Sequence, residues 1–311
     1  MHTLTTTKNN LQQTEAISTE LFYRFISYLD AKPKTVETYT RALRQLFKYF
    51  SFNGITHPQR DDIISFREDL KTSGHKPTTI QSYITATRLF FSWTAQEGFY
   101  PNIADHLKGA KLNRDFKKDY LTSRQVKEIL SKVERESIKG LRDYAMLSVM
   151  ITCGLRDIEV SRANISDIRN IGENTVIYIQ GKGKEEKTDY IKLNPTVEKA
   201  IRVYLSLRGT ADESEPLFTS TSNNNKDKRL SVRSISGIVK NRLRCAGYDS
   251  PRITAHSLRH TAVTLSLLAG KDITEVQQFA RHSNISTTMI YNHSLDRAKN
   301  SCSEAIAQAI F

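Results

Sequence analysis

Residues 251–293 read PRITAHSLRHTAVTLSLLAGKDITEVQQFARHSNISTTMIYNH, and this stretch decides how the rest of the chain is interpreted. It contains His256 and Arg259 as an H-x-x-R pair at the predicted start of a helix. That spacing puts an imidazole and a guanidinium on one helix face, one turn apart. His282, preceded by an arginine, and Tyr291, nine positions later, follow on further helical segments.

These four side chains suit a phosphate better than a metal. Arginine does not ligate cations, and no cysteine or carboxylate cluster accompanies the histidines. An arginine binds phosphate oxygens with two N–H groups, a histidine donates or shuttles a proton, and a tyrosine offers a nucleophilic hydroxyl. A buried helical hairpin with chance polar residues is the simpler explanation for any one of them alone. It is not favoured for all four in this order.

The composition points to a polyanionic partner. The 311 residues contain 46 Lys and Arg against 33 Asp and Glu, a net charge of +13, which favours nucleic acid, although charge alone does not exclude an ordinary basic protein. The length is enough for two domains. Three scattered cysteines form no disulfide or C-x-x-C pattern and fit a reducing cytoplasm. No apolar run is long enough for a membrane span, and the N-terminus lacks the apolar core of a signal peptide.

The first third of the chain is predicted to be a helical domain, residues 15–105, preceded by a disordered segment, residues 1–14. Apolar residues recur at helical spacing in four stretches. These begin at Glu15, at Pro33, at about residue 59 and near Pro77, and they end before Pro33, at Asn53-Gly54, at Ser73-Gly74 and at Glu97-Gly98. Four helices joined by short loops predict a small bundle.

Basic side chains on the second and fourth of these helices are candidate DNA contacts. A helical face with a basic stripe can lie along DNA and bind phosphates. The six candidates are Lys34, Arg41, Arg44, Lys48, Lys76 and Arg88. A solvated surface is a serious alternative, because acidic and basic residues are nearly balanced in this domain.

Residues 106–119 are predicted to be a basic linker that ends the first domain. They show no clear hydrophobic period, and the stretch includes Lys117 and Lys118 with Asp115 as the one acid among several basic residues. Such a linker is expected to be held by a DNA duplex and loose without one. The second domain is then residues 120–311.

The second domain is predicted to mix helices with a β-hairpin. Helices are expected at about 123–134, 138–153, 195–208 and 230–246, and a hairpin at 174–193. Two residues of this region are further candidates for phosphate chemistry. Arg156 follows a helix break at a glycine, and Lys182 lies between two glycines at the hairpin turn; either residue can equally be an ordinary exposed cation. The helix at 230–246 adds Arg233 and Lys240 as candidate DNA contacts.

Five short motifs, taken in order, match one known family. They are GLRDIEV with Arg156, QGKGK with Lys182, AHSLRH with His256 and Arg259, ARHSN with His282, and STTMIYNH with Tyr291. Together they resemble the tyrosine recombinases, or phage integrases, over roughly residues 15–300. The first domain resembles the SAM-like core-binding domain of that family. One departure is visible, because the family often reads Leu-Gly before the histidine and this chain reads Ala280-Arg281.

The resemblance implies a reaction at a DNA phosphodiester. Tyr291 is the implied nucleophile, forming a 3′-phosphotyrosine link and releasing a 5′-hydroxyl. Arg156 and Arg259 are implied to hold the non-bridging oxygens. A tyrosine hydroxyl with a pKa near 10 needs cations and a base nearby, so the residue chemistry agrees with this assignment.

The other implied roles concern protons. The resemblance implies that His282 donates a hydrogen bond to the phosphate and that His256 helps to manage the proton of the nucleophile. It also implies that Lys182 protonates the leaving 5′-oxygen. Because the covalent link keeps the bond energy, we expect no cofactor, and no metal or phosphate-binding loop motif is found. The implied partner is double-stranded DNA at a specific site, bound by a homotetramer in the cytoplasm, at the nucleoid.

The sequence therefore predicts a mainly α protein with a small β-sheet, an N-terminal four-helix domain and a mixed α/β catalytic domain. A type IB topoisomerase or a non-catalytic DNA-binding regulator on the same fold are the alternatives. Only about 14 residues precede the first helix, so a two-domain recombinase is expected, either moving a mobile element or resolving chromosome dimers. A tail helix is predicted at 301–311, with Ser301 and Glu304 as a capping box, docking in cis or in trans.

Overall fold

The computed structural model describes residues 16–111, 119–181, 184–209, 212–298 and 301–311, with the side chains of 293–298 and 303–304 left out. The chain divides into two compact units, Met1–Arg114 and Asp115–Phe311. The predicted disordered segment 1–14 lies outside the described residues. No helix in the described ranges is long and apolar enough to cross a membrane.

The first unit contains the four expected helices. They are α1 (Thr19–Tyr28), α2 (Pro33–Phe52), α3 (Arg60–Thr72) and α4 (Pro77–Gln96). Proline at the first helical position begins α2 and α4, where its missing N–H is not needed. The helix α1 begins four residues later than predicted, because the Ser18 hydroxyl accepts the Leu21 N–H and caps the helix there.

Aromatic side chains fill the core of this unit. Phe25 and Phe90 meet edge to face, with ring centroids 5.5 Å apart, and Trp93 packs beside both. Leu107 is buried in the same core, and the Lys108 carbonyl accepts a hydrogen bond from Arg67 at 2.7 Å. Residues that the sequence analysis assigns to the start of the linker therefore pack on the helical unit.

The second unit is helical around a small sheet. Its helices are α5 (Ser123–Ser131), α6 (Ile138–Thr152), α7 (Asp157–Arg162), α8 (Pro195–Arg208), α9 (Val232–Cys245), α10 (Ala255–Leu268), α11 (Ile273–Ala280), α12 (Ile285–Ala298) and α13 (Cys302–Ile310). The strands β1 (Ile168–Ile171), β2 (Asn174–Ile179) and β3 (Asp189–Lys192) form an antiparallel sheet in the order β1-β2-β3. The predicted fold class, mainly α with a small sheet, is confirmed.

Strand β1 and the start of the tail helix were not fully predicted. The sequence predicts the β2–β3 hairpin but not β1, whose residues are mostly exposed and lack an alternating apolar pattern. The predicted capping box at the tail is described only at Ser301, because the side chain of Glu304 lies outside the described residues. The Ser301 hydroxyl makes no capping bond, and the ψ of 13° at this residue lies outside the extended region in which cap side chains reach the helix.

The helix α6 is the centre of this unit. All of its residues from Ala145 to Ile151 are buried, as expected for a helix that is apolar all round. Cys153 caps its C-terminal end, and Gly154 then takes a positive φ of 58°. The helix α10 is also mostly buried, and the two helices bring together the side chains described next.

Candidate active site

Arg156 is fixed at the start of α7 by Glu159. Its backbone N–H and its Nη1 donate to the two oxygens of the Glu159 carboxylate, at 2.9 and 2.7 Å. The Glu159 side chain is 0% exposed, whereas that of Arg156 is 23% exposed. The guanidinium is therefore anchored on one side and open to solvent on the other. The turn before it requires a positive φ at Gly154, where an added Cβ would lie 3.3 Å from the Phe279 ring.

Arg259 is the most deeply buried cation of the site, at 1% exposure. Its Nη1 donates to the Gly154 carbonyl at 2.6 Å, and its Nη2 donates to the Ala280 carbonyl. No carboxylate pairs with it among the residues that the structure describes. Burial, and then the charges of Arg156 and Arg281, lower the pKa of Arg259 to about 9. It remains positively charged at neutral pH, and the charge of Glu159 offsets only part of the effect of burial and of the two neighbouring arginines.

Arg281 is a third guanidinium at the same place. Its Nη2 donates to Glu159 Oε2 at 2.8 Å and to the Gly154 carbonyl at 3.2 Å. The sequence identifies Arg281 only as a departure from the family pattern, and it does not predict a role for Glu159. The position of Glu159, three residues after Arg156 at a helix start, was the available signal, since residues so spaced can cap a helix reciprocally.

His282 follows directly after α11. Its Nδ1 lies 2.9 Å from the hydroxyl of Thr288, a fully buried residue of α12. Burial is the main cause that lowers the pKa of His282 to about 4, and the charges of Arg259, Arg156 and Arg281 add to it. The imidazole is therefore neutral at pH 7, with one N–H to donate.

Tyr291 lies on α12 and is 5% exposed. The His260 ring meets it edge to face at a centroid distance of 4.6 Å, and the His282 ring stacks on it at 6.2 Å. Burial raises the pKa of Tyr291, while the charges of Arg259 and Arg156 act in the opposite direction. The site thus brings Tyr291 together with two of the predicted arginines and His282. His260 is a further neighbour that the sequence analysis misses.

His256 is placed differently from Arg259, although both lie on α10. His256 is exposed and Arg259 is buried, so the pair shares a helix face but not an environment. The positive form of His256 contributes to lowering the pKa of His282, which puts the two imidazoles near each other. His256 is therefore at the solvent side of the cluster.

Lys182 lies outside the described residues, as do Lys117 and Lys118. The described chain stops at Gly181 and resumes at Lys184. The Arg162 side chain of α7 donates to the Gly181 carbonyl at 3.4 Å, and Lys184 pairs with Asp189 at 2.8 Å. The Gly181 carbonyl therefore lies next to the last residue of α7, the helix that Arg156 starts.

The remaining candidate DNA contacts are surface residues with different degrees of charge pairing. Lys34 and Arg41 both pair with Glu37 on the exposed face of α2, at 2.7 and 3.0 Å. Lys240 pairs with Asp249 at 2.9 Å and donates to the Ser250 carbonyl, so its charge is already compensated. The side chains of Arg44, Lys48, Lys76, Arg88 and Arg233 are exposed.

The cluster is built for an anion. Two guanidiniums bind the carboxylate of Glu159, and the third, that of Arg259, binds backbone carbonyls, beside a neutral histidine and a tyrosine. Within the described ranges, no group of three or more His, Cys, Asp or Glu side chains is arranged to hold a metal ion. An oxyanion with several oxygens matches the number and geometry of the available N–H donors.

Comparison with known proteins identifies the family. Residues 119–298 match the phage integrase family, and residues 20–98 match the N-terminal SAM-like domain of phage integrases. The chain belongs to the phage integrase family. These proteins are tyrosine recombinases, enzymes that break and rejoin DNA, so the predicted family and enzyme class are confirmed.

Relatives of this integrase-family chain include Xer recombinases. It is 38% identical over 178 residues to the tyrosine recombinase XerC of Caldanaerobacter subterraneus subsp. tengcongensis, covering 56% of this chain and 47% of that relative. It is 29% identical over 280 residues to the tyrosine recombinase XerA of Pyrococcus horikoshii, covering 90% and 91%. A crystal structure of the XerH site-specific recombinase bound to a palindromic difH substrate matches with a TM-score of 0.72 at 22% identity, covering 92% of this chain and 85% of that one. At 22% identity, this similarity shows that the two chains share a fold.

Proposed function

We propose that this recombinase cuts and rejoins double-stranded DNA at a specific site through a 3′-phosphotyrosine intermediate. One observation carries the proposal: beside the buried Tyr291, the guanidiniums of Arg156 and Arg281 share the Glu159 carboxylate, and a third, that of Arg259, pairs with no carboxylate among the described residues. The excess positive charge has no partner of opposite sign in the described part of the protein. A DNA phosphate supplies the negative charge that this cluster lacks, and the Tyr291 hydroxyl is the nucleophile beside it.

The arginines act on the charge of the transition state. When the Tyr291 oxygen attacks, the phosphorus becomes five-coordinate and its non-bridging oxygens gain negative charge. Arg156 and Arg259 donate to these oxygens, and the neutral His282 adds a donor. Each such donor contributes on the order of a hundred- to a thousand-fold in rate in comparable sites.

Proton transfer completes the exchange of bonds. The Tyr291 oxygen bonds to phosphorus as the bond to the 5′-oxygen breaks, so one phosphoester replaces another without a cofactor. Because burial raises the pKa of Tyr291, its proton needs an acceptor, and the exposed His256 is assigned this role. Lys182 is assigned to protonate the leaving 5′-oxygen. Lys184 is a weaker candidate because it pairs with Asp189.

The proposal also assigns a part in the reaction to each stretch of the chain. The domain at 15–105 and the linker at 106–119, with Lys117 and Lys118, hold the duplex, and residues 120–311 carry the chemistry. The assembly is a homotetramer on two duplexes in the cytoplasm, at the nucleoid. Its task is either the integration and excision of a mobile element or the resolution of chromosome dimers.

A covalent-capture experiment tests the function. Purified protein is incubated with fragmented genomic DNA, denatured and purified, and the attached DNA is sequenced. We expect one recurrent sequence, linked through the peptide that contains Tyr291, and no attached DNA with Tyr291→Phe. Relaxation of supercoiled plasmids without sequence preference would instead favour a topoisomerase. DNA binding without any covalent product from the wild type would favour a regulator.

A further inference from the structure

Arg281 has an unusual combination of backbone and side-chain environments. Its φ of 52° and ψ of 47° are left-handed, a conformation that costs a residue with a Cβ about 1–2 kcal/mol. The other described non-glycine residues with positive φ, His106 and Asp227, are exposed. The side chain of Arg281 is 9% exposed. A glycine would fit the backbone better, so the value of arginine here lies in its side chain.

The side chain shares one acceptor with each of the two proposed catalytic arginines. Arg281 and the backbone N–H of Arg156 donate to Oε2 of Glu159, while the guanidinium of Arg156 donates to Oε1. Arg281 also donates to the Gly154 carbonyl, which accepts a hydrogen bond from Arg259 as well. Arg281 is thus the one described side chain bonded to the partners of both.

Packing alone does not account for an arginine at this position. Its Nε is buried without a hydrogen-bond partner among the described residues, and an unsatisfied buried donor costs about 1–3 kcal/mol. Burial is also the first cause that lowers the pKa of Arg281. These costs add to that of the left-handed backbone. They are offset by the bonds to Glu159, Gly154 and the Phe279 carbonyl.

We propose that Arg281 is a positioning residue for DNA cleavage, which holds Glu159 and the Gly154 carbonyl so that Arg156 and Arg259 face the same phosphate. The proposal rests on the proposed function. With Oε2 occupied by Arg281, the guanidinium of Arg156 binds Glu159 through Oε1, and its other N–H groups have no hydrogen-bond partner among the described residues. Without Arg281, Arg156 gains access to both oxygens in a bidentate pair, which draws it away from the phosphate.

Substitutions at this position separate positioning from folding. Arg281→Gly relieves the backbone and removes the side chain, whereas Arg281→Lys keeps a cation and the unfavourable backbone. The measured quantities are the single-turnover cleavage rate on a nicked target at saturating protein, the Kd for the same DNA and the Tm. Asp227→Gly is the matched control, because it relieves a left-handed backbone far along the chain from the site residues.

We expect Arg281→Gly to lose about ten- to a hundredfold in cleavage rate, as small misplacements of catalytic groups do. Its Kd and Tm should stay close to wild type. Arg281→Lys should cleave faster than Arg281→Gly although glycine suits the backbone better, and Asp227→Gly should cleave like wild type. In an Arg156→Ala background, Arg281→Gly should have a smaller effect than in the wild type, because the part of its action that passes through Arg156 is already lost.

Three outcomes would overturn the inference. Arg281→Gly could cleave at the wild-type rate, or its loss of cleavage could match the fraction of protein that is unfolded. The third outcome is that the effects of Arg281→Gly and Arg156→Ala on the cleavage rate are fully additive. If Arg281→Gly does not fold, Arg281→Lys and Arg281→Gln carry the same comparison. A wild-type protein that forms no covalent complex on any DNA refutes the proposed function instead. The two failures are therefore distinguishable.

Discussion

The imidazole of His282 and the hydroxyl of the buried Thr288 form a hydrogen-bonded pair, with Nδ1 and Oγ1 2.9 Å apart. Thr288 is on α12, the helix that also carries Tyr291. If the hydroxyl donates to Nδ1, the ring proton is on Nε2, and the N–H is directed away from α12. One threonine then determines both the tautomer and the orientation of a proposed phosphate donor.

We expect Thr288→Val to lower the cleavage rate about tenfold or more with little change in DNA affinity, because a ring whose partner is lost populates the wrong tautomer. Thr288→Ser, which keeps the hydroxyl, is the matched control and should stay near wild type. Cleavage is measured in single turnover, and ¹⁵N NMR of the imidazole reports the tautomer. Equal rates for the valine and serine variants would show that the hydroxyl has no such role.

The second prediction concerns stability in acid. The folded protein lowers the pKa of His282 from 6.5 to about 4. Between these pH values the unfolded chain binds a proton that the folded chain does not, so stability falls as pH falls through this window. After a discount for solvent screening, the contribution lost between pH 7 and pH 5 is about 1 kcal/mol.

Urea unfolding at both pH values tests this linkage. His282→Asn lacks the titrating group, so its unfolding free energy should fall less than that of the wild type between pH 7 and pH 5. The difference between the two proteins removes the contribution of the other titrating groups. Parallel pH profiles for wild type and variant would contradict a lowered pKa. Bound DNA should oppose the effect, because a phosphate offsets the positive charge that disfavours His282 protonation.

Much of this site could be predicted from short motifs, because local spacing determines how helices begin and which residues share a helix. Pro33 and Pro77 mark helix starts that the structure confirms. The glycine break before Arg156 likewise marks the start of α7. Such features depend on residues a few positions apart and are visible in one sequence.

The unpredicted features depend on residues far apart along the chain. The bond from Arg281 to the Glu159 carboxylate joins residues more than a hundred positions apart. The contact of His260 with Tyr291 requires α10 to pack against α12. Strand β1 is determined by its pairing with β2 rather than by its own residues. No local pattern encodes these contacts.

The third prediction concerns Lys182. Lys182→Ala should cleave ordinary DNA slowly but recover on a substrate with sulfur at the 5′-bridging position, because a thiolate leaves without a general acid. Lys184→Ala is the matched control. Lys184 is half-exposed and paired with Asp189, so its removal should change cleavage little on either substrate. Selective rescue of Lys184→Ala, and not of Lys182→Ala, would reassign the acid.

The fourth prediction concerns the tail helix α13 (Cys302–Ile310). Its apolar face is exposed, with Ile306 at 59% and Ile310 at 67%, and Phe311 follows at the end of the chain. A helix of about three turns is marginal in water unless its apolar face is covered. Our hypothesis is that a neighbouring protomer covers it, in a head-to-tail cycle that the tetramer closes.

Ile306→Ser together with Ile310→Ser should then weaken tetramer formation on DNA while single-site binding survives, and deletion of residues 301–311 should do the same. Gln308→Ser, an exposed polar change on the same helix, is the control. Gel shifts and cross-linking on paired sites measure the assembly, and thermal melting measures the monomer. If the helix instead folds back on its own catalytic unit, the double serine variant lowers the monomer Tm and leaves the tetramer intact. That result would contradict docking in trans, because burial within one chain stabilises the monomer and burial between chains stabilises only the assembly.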